Sequence, residues 1–170
     1  MPNTLLFLDV DGPLLPFGGN HPPTSPPRAE HRDTTSPLIS RLDRTLGPRL
    51  TALPCELIWA TTWMDEANHT LGPLLNLPVL PVVPWPTRTD DPVDTWYGLH
   101  WKTRPLLDYA ATRPFIWLDD EITPRDTEYA STHHPAPSLL HRVNPRTGLG
   151  PTDFEILATW LTTHRGQGVE

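Results

Sequence analysis

The chain has 170 residues, enough for one domain, with a net charge of −7, 37% apolar residues and 19% charged residues. These proportions exclude a membrane-embedded protein and a fully disordered chain. The negative charge argues against non-specific nucleic-acid binding, which depends on neutralising phosphates. We therefore expect a single domain over residues 1–164, followed by a flexible tail over residues 165–170.

Three further features of the composition bear on location and chemistry. The apolar run near the start covers only residues 5–8, too short for a signal-peptide core or a membrane span. The one cysteine, Cys55, excludes an intrachain disulfide, and we expect a cytoplasmic protein that does not bind membranes. All basic residues except Lys102 are arginine, which makes Lys102 a candidate functional residue.

The first half of the chain predicts strands and helices around a long loop. Residues 4–10 form an apolar run that ends in acidic residues, as is typical of a buried strand in a parallel sheet. Residues 13–35 contain glycine and proline pairs and predict a proline-rich flap. A helix is then predicted from Ser36-Pro37 to Leu46, a second strand over residues 56–60, and a helix over residues 63–75 with Gly72-Pro73 as a candidate break. A third strand is predicted over residues 79–83, at an edge of the sheet.

The second half continues the alternation. Residues 84–98 predict a loop, residues 104–111 a helix, residues 115–118 a fourth strand, residues 126–131 a short helix and residues 138–143 a fifth strand. The spacing of Thr152 and Glu155 predicts a capped last helix that ends near Thr163. Together these elements predict an α/β fold, a doubly wound, Rossmann-like parallel sheet of about five strands. Ligands of such sheets bind at the carboxyl ends of the strands.

Polar residues follow three of the predicted strands, and a lysine precedes a helix at the same edge: Asp9, Asp11, Thr61, Lys102, Asp119 and Asp120. Four carboxylates within about 5 Å would repel one another by about 3 kcal/mol per pair at an effective dielectric near 20. One lysine offsets only part of that charge, so the set predicts a divalent cation, and oxygen ligands beside a phosphate favour Mg²⁺. The alternatives are a solvated pair of turn acids at the first strand and helix-capping acids at the fourth.

The same residues resemble the four motifs of the haloacid dehalogenase superfamily, most of whose members are Mg²⁺-dependent phosphatases. Residues 9–13, DVDGP, resemble the first motif, although Pro13 departs from it by removing a backbone donor. Residues 57–61, LIWAT, are similar to the second motif, with Thr62 as the alternative to Thr61. Lys102 is similar to the third motif and residues 115–120, FIWLDD, to the fourth.

The resemblance implies a role for each residue. Asp9 would attack phosphorus and become an aspartyl-phosphate, while Asp11 would protonate the leaving group and then activate water. The four aspartates would hold Mg²⁺, Asp11 through its backbone carbonyl, and Thr61 and Lys102 would bind the phosphoryl group. Asp11 also favours phosphoryl transfer over dehalogenation, because the dehalogenases of the superfamily lack an aspartate at this position.

The intervals between the motifs leave no room for a substantial cap domain, so the site is expected to be open to bulky phosphorylated substrates. Three functions therefore stay open: a general phosphomonoester hydrolase, a phosphatase specific for nucleotide or nucleic-acid ends, and a non-catalytic module that binds phosphate or Mg²⁺. The second is favoured by tryptophans in or beside loops at the active edge, although packing explains them equally well: Trp63, Trp85, Trp96 and Trp101. Pro13 favours the third.

Three more polar residues have two interpretations each. Asn68 is a candidate for orienting a loop by hydrogen bonds, and a catalytic part is the less favoured reading. Glu121 and Asp126 are candidates for supporting the Mg²⁺ ligands, and the alternative is that they cap the short helix that follows.

Overall fold

The centre of the fold is a parallel β-sheet. The computed structural model describes residues 4–18 and 38–164, and within them the strands are β1 (Leu5–Leu8), β2 (Glu56–Trp59), β3 (Phe115–Asp119) and β4 (Ser138–Arg142). Their order in the sheet is β2-β1-β3-β4, and all three pairings are parallel. The predicted α/β class with a parallel sheet is therefore confirmed and is consistent with a Rossmann-like fold, with four strands in the described ranges where about five were expected.

Six α-helices lie within the same described residues: α1 (Leu46–Thr51), α2 (Glu66–Leu75), α3 (Pro92–Tyr97), α4 (Thr103–Ala110), α5 (Pro124–His133) and α6 (Pro151–Thr163). Three of them, α3, α5 and α6, have a proline as their first residue. Proline is tolerated there because the first amide groups of a helix have no partner within the helix. These positions account for three of the chain's 23 prolines. No helix in the described ranges is long and apolar enough to cross a membrane.

Both faces of the sheet are buried along β1, β2 and β3, which explains the apolar runs of these three strands. Alternate residues of a strand point to opposite faces, and all four side chains of β1 are fully buried. One face packs Leu6 and Leu8 with residues of α1, α2 and α6, and the other packs Leu5 and Phe7 with residues of α4. The polar residues that follow the strands are thus confined to the ends of the sheet.

The predicted third strand, residues 79–83, is wrong. The segment beside β2 makes one isolated parallel bridge, between Trp59 and Val82. Prolines at positions 78, 81 and 84 lack the amide donors that a strand ladder requires. The segment therefore runs along the sheet edge with only two backbone bonds to Trp59, from its N–H to Pro81 O and from Val83 N–H to its carbonyl.

The predicted helix from Ser36-Pro37 to Leu46 is also wrong in the part that the structure describes. Its start lies outside the described residues, and the chain then forms a short 3-10 helix, Ile39–Arg41, before α1 begins at Leu46. Between them the Asp43 carboxylate accepts hydrogen bonds from the backbone N–H and the hydroxyl of Thr45. Such a side-chain bond offers the backbone an alternative to the helix.

Two other predicted boundaries differ. The predicted loop over residues 84–98 contains α3, which Asp91 caps by accepting the Val93 N–H and which ends at Gly98. The last helix begins at Pro151, not at the predicted Thr152 cap, because the Asp153 carboxylate accepts the Gly150 N–H. Gly72-Pro73 does not break α2. Most of the predicted flap, from residue 19 onward, and the predicted tail lie outside the described residues.

Candidate active site

Three carboxylates meet at the carboxyl edge of the sheet. Asp9 follows β1 and donates its backbone N–H to Leu118 O, and Asp119 ends the neighbouring strand β3. Asp9, Asp119 and Asp120 each offer an oxygen, and these three oxygens all lie within 4.8 Å of one another. Asp119 is fully buried and Asp9 is only 7% exposed. Adjacent parallel strands thus bring together three of the four predicted acids.

Lys102 is buried between two of these acids. It stands directly before α4, is 4% exposed, and places Nζ 2.8 Å from Asp119 Oδ2 and 3.2 Å from Asp9 Oδ1. The other oxygen of Asp119 accepts the Glu121 N–H at 2.9 Å. Lys102, the one lysine in the sequence, therefore lies inside the acidic cluster, with its ammonium group beside two of the carboxylates.

The cluster carries an excess of negative charge. Burial, and then the charge of Asp119, raise the pKa of Asp9 well above its ordinary value, although Lys102 opposes this. The same two causes raise the pKa of Asp120 to about 6. Burial lowers the pKa of Lys102, but the carboxylates of Asp9 and Asp119 outweigh it, so the net pKa is raised. One ammonium group does not balance three carboxylates.

The donor set fits a hard divalent cation. Three carboxylates supply oxygen ligands only, which suits Mg²⁺ better than the softer metals that select nitrogen or sulfur. The turn after β1 passes close to the third of them, since a Cβ added at Gly12 would lie 2.7 Å from Asp120 Cγ. Gly12 also has φ +98°, which side chains rarely adopt. Gly12 thus allows the turn and the Asp120 carboxylate to approach each other.

The turn that carries Asp11 closes without the amide that Pro13 lacks. Val10 O accepts the N–H groups of both Leu14 and Leu15 at 3.0 Å. Pro13 uses its carbonyl instead, which accepts the Leu149 N–H at 2.9 Å. The segment before α6 therefore holds the turn from outside, a contact between distant parts of the chain that no local sequence pattern indicates.

The Asp11 carboxylate does not join the three clustered carboxylates of the described residues. The predicted metal ligand of Asp11 is its backbone carbonyl, and that role stays a prediction. Asp11 Oδ2 accepts the indole N–H of Trp63 at 3.1 Å. Thr61, at the end of β2, is fully buried, and its hydroxyl oxygen accepts the Trp63 backbone N–H at 3.1 Å. Thr62, the alternative candidate for binding phosphate, is exposed.

Two more tryptophans surround Lys102. The rings of Trp85 and Trp101 meet edge to face with centroids 5.0 Å apart, and each centroid lies 5.8 Å from Lys102 Nζ. Trp85 also donates its indole N–H to Thr61 O at 2.9 Å. Both rings are half-buried, whereas Trp96, on α3, is 85% exposed.

His100 was missed by the sequence reasoning and supports Lys102. Its Nδ1 accepts the Lys102 backbone N–H at 3.1 Å, so Nε2 carries the proton and donates to Glu121 Oε2 at 2.8 Å. The Glu121 side chain is thus the hydrogen-bond partner of His100. The one signal for His100 in the sequence was its position, two residues before the candidate Lys102.

Asp126 and Asn68 hold loops in place around the site. Fully buried Asp126 accepts hydrogen bonds from the N–H groups of His100 and Thr123 and thereby caps α5, which favours its capping interpretation. Asn68 accepts from Trp59 Nε1 and from the Leu80 N–H and donates to the Leu80 carbonyl. Its contacts are those of a loop-orienting residue.

Comparisons with protein-family models, curated proteins and solved structures give no match to this chain in any of the three. No relative therefore supplies an activity, a substrate or a ligand. The functional conclusion rests on the residues and the geometry of the site.

Proposed function

We propose that this protein is an Mg²⁺-dependent phosphomonoester hydrolase of the haloacid dehalogenase type, with Asp9 as its nucleophile. The observation that carries the proposal is the buried Lys102 ammonium group, 3.2 Å from Asp9 and 2.8 Å from Asp119, in a cluster that contains a third carboxylate. Burying a charged cluster costs several kcal/mol per ion. A preformed set of charges of both signs is what the transfer of an anionic phosphoryl group requires.

The proposed reaction has two steps. In the first, a carboxylate oxygen of Asp9 attacks phosphorus, the bond from phosphorus to the leaving alcohol breaks, and Asp11 gives its proton to the departing oxygen. In the second, Asp11 takes a proton from a water molecule whose oxygen attacks phosphorus, and the bond to Asp9 breaks. Phosphate leaves, Asp9 is again a carboxylate and Asp11 is again protonated.

The remaining residues neutralise and orient the phosphoryl group. Lys102 offers an ammonium group to its oxygens, and the Thr61 hydroxyl is the proposed hydrogen-bond donor. Bound Mg²⁺, held by Asp9, Asp119, Asp120 and the backbone carbonyl of Asp11, would neutralise charge on the same oxygens. This use of Mg²⁺ agrees with the excess negative charge of the cluster.

The direct test is hydrolysis of p-nitrophenyl phosphate with Mg²⁺ and with a chelator. We expect turnover that requires Mg²⁺ and is abolished in Asp9→Asn, because an amide oxygen is a poor nucleophile. Asp108→Asn, the same change at an exposed site on α4, is the control and keeps full activity. Absence of turnover in Mg²⁺, or activity that survives Asp9→Asn, contradicts the proposal.

A second candidate is a phosphatase specific for nucleotides or nucleic-acid ends. It is favoured by the half-buried rings of Trp85 and Trp101 beside Lys102, since bases stack on aromatic side chains. The net charge of −7 opposes it. We expect faster turnover of a phosphorylated oligonucleotide than of a sugar phosphate if it holds; equal or slower turnover excludes it.

A non-catalytic module that binds phosphate or Mg²⁺ is the remaining alternative from the sequence. The sequence argument for this alternative is Pro13, which has no backbone N–H to donate. The turn after β1 closes without that N–H, because Val10 O accepts the N–H groups of Leu14 and Leu15. Beryllofluoride distinguishes the two, because it mimics a phosphoryl group on a nucleophilic carboxylate. A tight adduct that needs both Mg²⁺ and Asp9 supports the enzyme; a chain that binds Mg²⁺ without forming the adduct supports the module.

A further inference from the structure

Trp63 joins two residues of the proposed site through separate hydrogen bonds. Its indole Nε1 donates to Asp11 Oδ2 at 3.1 Å, although the two residues are 52 positions apart in the chain. Its backbone N–H donates to Thr61 Oγ1, also at 3.1 Å. Asp11 follows β1 and Thr61 follows β2, and these strands are neighbours in the sheet. The half-buried indole therefore links the turn after one strand to the loop after the other.

The backbone around Trp63 is itself fixed. Thr61 O accepts the Met64 N–H at 3.2 Å, and Trp63 O accepts the Glu66 N–H at 3.1 Å at the start of α2. Met64 has φ +53°, a left-handed conformation that a residue with a side chain adopts only where its surroundings hold it. The main chain of Trp63 is thus held in place, and its indole N–H points to Asp11 Oδ2.

We propose that Trp63 is a positioning residue for Asp11, and this inference rests on the proposed function, in which Asp11 is the acid and base. The indole N–H is a donor only, so it binds Asp11 without competing for the catalytic proton. By occupying Oδ2 it leaves Oδ1 to carry that proton toward the leaving group. A misplacement of about 1 Å can cost about 10²-fold in rate, so a fixed carboxyl orientation has a measurable effect.

The test uses two substrates that differ in their need for an acid. The p-nitrophenolate anion leaves without a proton, whereas the alkoxide of benzyl phosphate needs one. Since kcat/KM reports the steps up to cleavage of the ester bond, Trp63→Phe should lower kcat/KM for benzyl phosphate at least about tenfold more than for p-nitrophenyl phosphate. The expected tenfold difference is a fraction of the ~10²–10⁴-fold rate increase that a general acid supplies. Trp160→Phe, the same change on α6, should leave both values unchanged.

Two further variants separate positioning from packing. In an Asp11→Asn background, Trp63→Phe should have no further substrate-selective effect, because the proton donor is already lost. Replacement of Trp63 by 3-benzothienylalanine keeps the shape of the ring but puts sulfur in place of the N–H, and it should reproduce the selective loss even where phenylalanine disturbs folding. An equal loss for both substrates, or no loss, overturns the inference. Failure of the unmodified protein to hydrolyse either substrate would instead contradict the proposed function and, with it, this role of Trp63.

Discussion

Replacing Lys102 by methionine tests whether the buried ammonium group holds the acidic cluster together. At an effective dielectric near 20, its contacts of 2.8 Å with Asp119 and 3.2 Å with Asp9 correspond to about 6 and about 5 kcal/mol of attraction. The cost of burying the ammonium group offsets several kcal/mol of this. We therefore expect Lys102→Met to lower the free energy of unfolding by about 3–5 kcal/mol at pH 7.5, the usual cost of leaving a buried charge unpaired.

The loss should depend on pH in a stated direction. The pKa of Asp9 is raised by burial and by Asp119, and removal of Lys102 raises it further. A carboxyl with a raised pKa binds its proton more tightly in the folded state, so its protonation stabilises the fold and this stabilisation is lost as pH rises. In the variant, a carboxylate left without Lys102 can lose its charge by binding a proton at low pH. The difference in the free energy of unfolding between the variant and the natural protein should therefore become smaller as the pH falls from 7.5 to 5.

The assay is urea unfolding of both proteins at the two pH values in the presence of a chelator. Arg88→Met is the control, because Arg88 pairs with Asp90 on the surface and such pairs contribute little. The reasoning is refuted if Lys102→Met costs less than about 1 kcal/mol at pH 7.5, or if its cost grows as the pH falls.

Two further substitutions test the surroundings of the site by urea unfolding. Gly12→Ala should cost at least about 1–2 kcal/mol, because φ is +98° and the new Cβ would lie 2.7 Å from Asp120 Cγ; an unchanged midpoint would show that the turn has room. Asn68→Leu should cost about 3 kcal/mol or more, since it leaves Trp59 Nε1 and both backbone groups of Leu80 without a partner, at about 1–3 kcal/mol for each buried group. A cost below about 1 kcal/mol would show that these groups find other partners.

Three strands of the sheet could be predicted because they are short, largely apolar and buried runs, at residues 5–8, 56–59 and 115–119. The strand at residues 138–142 has two leucines among polar residues and is only half-buried. The error at residues 79–83 has a definite cause: valine and leucine predicted a strand, but the adjoining prolines lack the amide groups that the ladder needs. At Asp43 a side-chain hydrogen bond interrupted a predicted helix, and such a choice depends on local geometry.

The acidic cluster could be anticipated from the parallel-sheet rule, because carboxyl ends of neighbouring strands share an edge. The orientation of each side chain could not. Asp11 has the same spacing whether it joins the cluster or, as here, accepts the Trp63 N–H. The contacts of His100 with the Lys102 backbone and of Leu149 with the turn after β1 depend on how loops pack, and no periodic pattern records that.

The most direct measurement is chemical trapping of the aspartyl-phosphate. The protein is mixed with substrate and Mg²⁺, quenched in acid and reduced with borohydride, which converts a phosphorylated aspartate to homoserine. Peptide mass mapping should then show homoserine at position 9 when both substrate and Mg²⁺ are present, and none in their absence or in Asp9→Asn. Phosphate release without homoserine at position 9, or with the modification at another aspartate, would contradict the proposed role of Asp9.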